Sequence, residues 1–459
     1  MAFPVRTVIV MAAAILAAAT GLAARAETRI ISVRATVNLQ AVIDAASAGD
    51  TLRLGRGEYS GPIVIAKPLT LEGEPGTIIV GSRVGSVITL EAVGTIVRGL
   101  EVRGSGTDIG AFDSGIYVSR SAKGALIENN AILDNLYGVY LQGADNSMVR
   151  ANRIVGIREG RTAAAGNGVH LWNAPGAQIV GNDISHGRDG IYTNISRNNV
   201  FSRNRFSHLR FAIHYMYTND SVLSSNISTG NSAGYAIMYS DRLVITDNIS
   251  DGDRDYGLLL NSANGSMITG NVVRGRFQPV SRWINAGRRG GLHGTFTEAA
   301  TNLPITGAQR LGPEKCVFIY SANHNQFSNN RFENCAIGIH FTAGSERNRM
   351  TGNAFVRNRN QVKYVGTRHL DWSAGGRGNY WSDNSAFDLN GDGIADIPYR
   401  PNGIVDHVLW IAPQAKILIN SPAVQVIRWA QRQFPALLPG GIVDSRPLMA
   451  PPPIGEQPL

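Results

Sequence analysis

The chain has 459 residues, a formal charge of +9 and two cysteines. The positive charge is scattered arginine without a dense basic stripe, which argues against a nucleic-acid binder. After the N-terminus there is no run of 18 apolar residues, so no transmembrane segment is expected in the mature chain.

The first 26 residues read as a cleaved signal peptide. Arg6 supplies the positive start, Thr7 to Leu22 the apolar stretch, and Ala24-Arg25-Ala26 the cleavage site. Removing them takes away two arginines and no acid, and lowers the formal charge from +9 to +7. A periplasmic, oxidising location follows. Asn38 to Ala48 reads as a short helix that caps the fold, with Asn38 at its start and Leu39, Val42, Ile43 and Ala46 on one apolar face. Thr51–Leu54, Ile63–Ile65, Leu69–Leu71 and Ile78–Val80 are short strands of less regular spacing.

A repeat then takes over. Asparagine follows a short apolar run at Asn130, Asn152, Asn182, Asn204, Asn226, Asn248, Asn271, Asn330 and Asn353. The gaps are 22 or 23 residues, interrupted by one of 30 and one of 59. A second marker keeps phase with the first. It runs Gly115-Ile116-Tyr117, Gly138-Val139-Tyr140, Gly168-Val169-His170, Gly190-Ile191-Tyr192 and Ala212-Ile213-His214. It continues as Ala236-Ile237-Met238, Gly257-Leu258-Leu259, Cys316-Val317-Phe318 and Gly338-Ile339-His340.

A 22-residue unit is too short for a helix pair or a propeller blade. It fits one coil of three short strands, hydrogen-bonded to the next coil at ~4.8 Å. The expected fold is all-β: a right-handed, single-stranded parallel β-helix over residues 27–366, with an insertion at 276–313 and a capping region at 367–459. A leucine-rich horseshoe ranks behind, because neither a leucine ladder nor a helix per repeat is present. The recurring glycine is expected to supply φ freedom before a strand, and the recurring asparagine a left-handed bend with rung-to-rung amide bonds. Cys316 and Cys335 bracket adjacent repeats. They are either a disulfide, the favoured reading, or a buried thiol pair.

The insertion carries Arg276, Arg282, Arg288, Arg289, His293 and Arg310 with Trp283 and Phe296, and is read as a partner contact. Asp388-x-Asn390-x-Asp392-Gly393-x-x-Asp396 spaces oxygen ligands as a calcium loop does. Its twelfth position is Tyr399 instead of a bidentate glutamate, so a structural calcium and a metal-free turn weigh equally. Ala423 to Phe434 reads as a helix with Val424, Ile427 and Phe434 apolar, a second cap.

Four blocks together resemble the NosD family. They are Asn379-Tyr380-Trp381-Ser382-Asp383 with the Asp388–Tyr399 segment; Gly49-Asp50-Thr51-Leu52-Arg53-Leu54 through Gly73; His214-Tyr215-Met216-Tyr217-Thr218-Asn219-Asp220; and Arg432-Gln433-Phe434-Pro435-Ala436-Leu437. The resemblance spans nearly the whole mature chain. It implies a periplasmic β-helix, not an enzyme, that helps assemble the copper–sulfide centre of nitrous oxide reductase. The implied partners are the membrane and ATPase subunits of an ABC transporter, and the reductase or a copper chaperone. It also implies copper binding.

Copper(I) prefers thioether and imidazole ligands. If the two markers set the register, His170, Tyr192, His214, Met238 and Leu259 share one outward column. Met216, two residues after His214, faces the same side. His214, Met216 and Met238 are therefore the candidate copper ligands. The plainer reading is an aromatic and methionine stripe, or a docking face that includes Tyr192, Tyr215 and Tyr217, with Tyr215 beside Tyr239 and Tyr217 beside Asp241. The rival function is a carbohydrate-active or carbohydrate-binding β-helix, lyase- or epimerase-like, acting on anionic polysaccharide. Its site would need paired carboxylates in one groove. Asp189 and Asp255 share a phase but lie three rungs apart.

Overall fold

The computed structural model describes residues 29–286 and 307–453, apart from 343, 367, 402, 404, 406–407, 409–412, 419–420 and 435–440. Among them, strands stack into three long parallel sheets that wrap one core. A thirteen-stranded sheet runs from Ile30–Val33 to Arg349–Thr351, and a second from Gly57–Ser60 to Tyr380–Trp381. A twelve-stranded sheet runs from Ile63–Ile65 to Asn360–Val365. This is the expected parallel β-helix. Residues 1–26, the signal-peptide reading, lie outside the described residues. No described helix is long and apolar enough to cross a membrane.

The core follows from strand length. In a three-residue strand one side chain points inward and two point out. Val149, Ile179, Phe201, Leu223 and Ile245 form such an inward column on consecutive rungs, each at most 1 % exposed. Each buried aliphatic contributes about 1.5–3 kcal/mol of transfer energy. The helix Leu39–Ala45 closes the first coil, with Asn38 accepting a hydrogen bond from the Ala41 amide at 3.2 Å.

The asparagines do more than turn the chain. Asn204 Nδ2 donates to Asn226 Oδ1 at 3.0 Å, and its backbone N–H donates to the same oxygen at 3.1 Å. Asn226 repeats this toward Asn248, and the ladder runs from Asn130 to Asn353. It continues one rung further, to Asn379, where Tyr380–Trp381 pairs with Ala354–Val356. The stack therefore passes residue 366 and takes in the first tail motif. The left-handed residue at this corner is the one before each asparagine, such as Arg203 at φ 56° and Ser225 at φ 55°. The asparagine is the buried bracket, not the bend.

The recurring glycines also differ from the expectation. Gly138 and Gly190 are not left-handed. A Cβ on Gly138 would sit 2.4 Å from the Gly168 carbonyl, and one on Gly190 2.4 Å from the Phe206 ring. These positions need the absence of a side chain, because adjacent rungs close tightly there.

Register is corrected at one rung. Ile213 pairs with Tyr235, His214 with Ala236, and Met216 with Met238. The marker in that coil is Gly234-Tyr235-Ala236, not Ala236-Ile237-Met238. A tyrosine fills the inward position because its hydroxyl reaches the carbonyls of Asn226 and Ile249, both at 2.8 Å.

The insertion begins as an antiparallel hairpin, Arg276–Pro279 against Gln309–Gly312, followed by a helical turn at Ser281–Ile284. Arg282 is buried and donates to the carbonyls of Gly230, Asn231 and Gly252, which ties the insertion to the wall. Arg288, Arg289, His293 and Phe296 lie outside the described residues. Cys316 and Cys335 form a buried disulfide with Cα atoms 5.7 Å apart. At the far end Trp381 stacks on Phe355 at 4.2 Å and donates to the buried carboxylate of Asp444 at 2.8 Å. The helix Pro422–Gln433 is capped by Ser421, yet Ile427 and Phe434 are exposed.

Asn226→Ala should lower stability by about 2–4 kcal/mol. The buried Asn204 amide groups lose their acceptor, at about 1–3 kcal/mol for each stranded group. Arg203→Ala, at a corner position that Ala151 fills elsewhere, should cost under about 0.5 kcal/mol. Urea unfolding of the two variants measures the contrast. Equal midpoints would mean that the ladder contributes nothing beyond the strands.

Candidate functional site

The outward face of the twelve-stranded sheet carries one column through ten rungs. It reads Tyr117, Tyr140, His170, Tyr192, His214, Ala236, Leu259, Phe318, His340 and Lys363. Parallel register puts rings directly above one another. Tyr117–Tyr140, Tyr140–His170, His170–Tyr192 and Tyr192–His214 have centroids 5.7, 4.4, 4.7 and 5.0 Å apart. Ala236 ends this run.

His214 is held from one side. Its Nδ1 lies 3.1 Å from Asp189 Oδ2, and Arg210 donates to the same carboxylate through Nε at 2.8 Å and Nη2 at 2.6 Å. The Asp189 side chain is 1 % exposed. Burial pushes its carboxyl up, but the hydrogen bonds from His214 and Arg210 and the Arg210 charge outweigh this and hold it below the usual range. Nδ1 also lies 3.3 Å from Arg210 Nη2; in the tautomer with the proton on Nδ1, shared with the carboxylate, the lone pair is on Nε2. Nε2 is buried and has no hydrogen-bond partner. Phe211 meets the ring edge-on at 5.0 Å, with Arg210 stacked over Phe211.

Met216 and Met238 are half-buried, outward-facing and in register on neighbouring strands. Adjacent rungs are ~4.8 Å apart and alternate residues ~6.6 Å. The imidazole and both thioethers therefore fall on one small patch. His214 faces Ala236, and Met238 faces Met216: the three candidate ligands are neighbours, although not in the column first drawn. Among the described residues no three His, Cys, Asp or Glu side chains group as a metal site. Neutral soft ligands, with the nearby carboxylate already matched by Arg210, suit a monovalent soft ion better than a hard divalent one.

Beside the thioethers runs an exposed ridge. Tyr217 and Tyr239, 54 % and 44 % exposed, stack at 5.1 Å, and Ile195 precedes them. All three have positive φ near 50°. Tyr217 thus pairs with Tyr239 and not Asp241. Tyr215 points inward and is fully buried, so it lines no docking face; strand alternation that sends His214 and Met216 out must send Tyr215 in. Tyr192 is half-buried within the ring stack. Trp283 is half-buried under the Arg310 guanidinium at 4.9 Å.

The candidate calcium ligands accept hydrogen bonds from the chain itself. Asp388 accepts from the amides of Gly391, Asp392 and Gly393, Asn390 from Asp392, Asp392 from Ile394, and Asp396 from Leu389. That is an Asx-turn knot. The phase match of Asp189 with Asp255 is also corrected: Asp189 stands in the column of Phe211, Ala233 and Tyr256, while Asp255 pairs with Arg254.

Within the ring stack, His170 accepts or shares a bond with Asn167 Nδ2 at 3.0 Å. Burial pushes its pKa down to about 3. The folded value lies below the unfolded one, near 6.5, so this stability is complete above pH 6.5 and is lost as pH falls toward 3. At pH 5 the penalty is about 2 kcal/mol. His170→Phe should therefore lose about 2 kcal/mol less than the wild type between pH 7.5 and 5 in urea unfolding. Parallel losses would show that His170 is protonated in the fold.

The family model "Periplasmic copper-binding protein (NosD)" matches residues 156–386. "Probable ABC transporter binding protein NosD" of Stutzerimonas stutzeri is 40 % identical over 397 residues, covering 86 % of each chain. The protein of the same description from Pseudomonas aeruginosa is 41 % identical over 396 residues, covering 86 % of this chain and 87 % of its own. Among solved structures, a family 6 polysaccharide lyase of Pseudopedobacter saltans overlays with a TM-score of 0.48 at 17 % identity, covering 71 % of this chain and 84 % of that one. The region matched by the family model contains the His214–Asp189–Arg210 group and both methionines. This chain belongs to the NosD family of periplasmic copper-binding proteins and has the accessory role of that family.

Proposed function

We propose that this protein takes up Cu(I) at His214, Met216 and Met238 and hands it on, docked to the membrane and ATPase subunits of an ABC transporter, for assembly of the copper centre of nitrous oxide reductase. The carrying observation is the His214 ring: Nδ1 is tied to a buried carboxylate, Nε2 is buried without a hydrogen-bond partner, and a thioether pair stands on the same sheet face two residues along the strand. Copper is cargo in this reading, and the chain's own residues do three things. Asp189 and Arg210 fix the ring so that its lone pair is presented without a search over rotamers. Ala236, where the neighbouring rungs carry larger groups, leaves room beside the ring. Met216 and Met238 offer neutral soft donors that bind and release a monovalent ion without a change of protonation.

The ridge of Ile195, Tyr217 and Tyr239 is the proposed contact for the protein that delivers or receives the metal. The exposure of three large side chains side by side at one corner supports this, since contiguous exposed apolar and aromatic surface marks interaction sites. Export by cleavage after Ala26 places the protein in the compartment of its family. A polysaccharide-cleaving reading lacks support: Asp189 is committed to Arg210 and His214, and its supposed partner Asp255 is out of register.

Anaerobic titration of the mature protein with Cu(I), against a colorimetric Cu(I) chelator, should show one tight site. His214→Ala and Met238→Ala should each remove it. Asp189→Asn should weaken it by about 10–100-fold, the usual effect of losing a group that orients a ligand. The exposed Met267→Ala, on another sheet, should bind as the wild type does. Unchanged affinity in both His214→Ala and Met238→Ala would sink the assignment.

A further inference from the structure

The metal patch has two flanks on the outer face of the twelve-stranded sheet. At one end of the strands Asp189–Asn194 and Phe211–Met216 stand Ile195 and Tyr217 of the exposed ridge. At the other end stands Arg188, one residue before Asp189. Its backbone N–H donates to the Gly166 carbonyl at 2.8 Å, and its own carbonyl accepts from the Arg210 amide at 2.7 Å. Arg188 therefore borders the carboxylate that holds His214.

Arg188 is half-buried, and among the described residues it has no ion-pair partner. Arginines set at least as deeply elsewhere on the coil are matched: Arg210 by Asp189, Arg254 by Asp255, and both Arg274 and Arg331 by Glu333. Phenols surround Arg188 instead. Its charge acts on Tyr137 and Tyr192, and these two also act on each other. Neither hydroxyl has a hydrogen-bond partner among the described residues, and neither is sealed from solvent. Burial pushes both phenols above their ordinary value, so they remain protonated donors at neutral pH. The loop that leads to Gly166 adds the exposed Arg158 and Arg161, with Glu159 as its one acid.

The chain thus places donors and an unmatched positive charge beside the patch and supplies no acceptor for them. A guanidinium drawn half out of water without a counter-charge is short of acceptors. A carboxylate fits that need: its two oxygens match the guanidinium fork, and a phenol O–H can reach a remaining lone pair. A doubly charged oxyanion would bring more negative charge than one guanidinium matches. Arg158 and Arg161 on the same edge extend the match from a single carboxylate to a run of them. The ridge on the opposite flank gives the footprint an apolar side, and tyrosine with arginine is the usual set of anchors in protein interfaces.

We propose that Arg188, with the hydroxyls of Tyr137 and Tyr192, receives an acidic segment of the protein that exchanges copper at this face. The partner's role rests on the reading of this face as an exchange surface; the recognition of its carboxylates does not depend on where copper binds.

The test is fluorescence anisotropy of a fluorescein-labelled octaglutamate peptide with the metal-free mature protein at low salt. The peptide should bind, and added salt should weaken it. Arg188→Glu and Arg188→Met should each weaken binding by about tenfold or more, the effect of losing a partly buried charge at an interface. Tyr137→Phe and Tyr192→Phe should each weaken it by about fivefold, through a lost donor to a charged acceptor. Arg349→Glu makes the same charge change at an exposed site on a thirteen-stranded sheet and should stay within about twofold of the wild type. An unfolding midpoint for Arg188→Met equal to that of the wild type separates lost recognition from lost folding. Absence of binding, unchanged binding in Arg188→Met, or equal losses in Arg188→Glu and Arg349→Glu would overturn the proposal. No copper is present in these titrations, so failure of the Cu(I) assignment would leave them unaltered.

Discussion

Parallel hydrogen bonding between consecutive coils, bracketed by a buried asparagine at one corner, is the constraint on which the rest of this molecule depends. With a single side-chain oxygen each asparagine accepts from both the side-chain amide and the backbone N–H of the asparagine on the preceding rung, as Asn226 does for Asn204. A corner built this way cannot slip by one residue without stranding amides in the core, where each costs about 1–3 kcal/mol, more than a hydrogen bond contributes on balance. Register is therefore fixed along the ladder from Asn130 to Asn379, and the outward side chains inherit that order.

The outer surface makes use of it. Side chains one coil apart are held ~4.8 Å from each other. Rings placed at the same phase stack, as from Tyr117 to His214, and polar groups placed at neighbouring phases meet on the diagonal. The Asp189–Arg210–His214 group is such a diagonal: its members come from two rungs and from different positions along the strand. A carboxylate that is 1 % exposed is tolerated because Arg210 and His214 satisfy it. What it supports is an imidazole with one nitrogen committed and one open, beside two thioethers.

The same scaffold accommodates departures where they do not disturb the ladder. The excursion at Arg276 leaves and rejoins the coil between Asn271 and Asn330, which still bond side chain to side chain at 2.9 Å. Tyr235 replaces an aliphatic in the core by finding two carbonyls for its hydroxyl. At the end of the stack Asp444, held protonated more readily than a free carboxyl by burial, takes hydrogen bonds from Asn379 and Trp381 where the next asparagine would have been.

Periodicity was enough to establish the coil and its approximate 22-residue repeat, because that pattern recurs many times; the helical cap at Asn38 showed as a single local capping signal, and the insertion as a break in the repeat. Periodicity was also enough to bring His214, Met216 and Met238 to the same face, since alternation along a strand and the pitch between strands determine that much. The residue opposite His214, the inward turn of Tyr215, the stacking of Tyr217 on Tyr239, and the grip of Asp189 and Arg210 were decided only by the folded chain. A one-coil shift of two residues between Ala-Ile-His and Ala-Ile-Met looks harmless as text, and only pairing between rungs excludes it. The glycines show the same division: their recurrence is visible in the text, but whether they serve a bend or a close approach depends on what the next coil places against them.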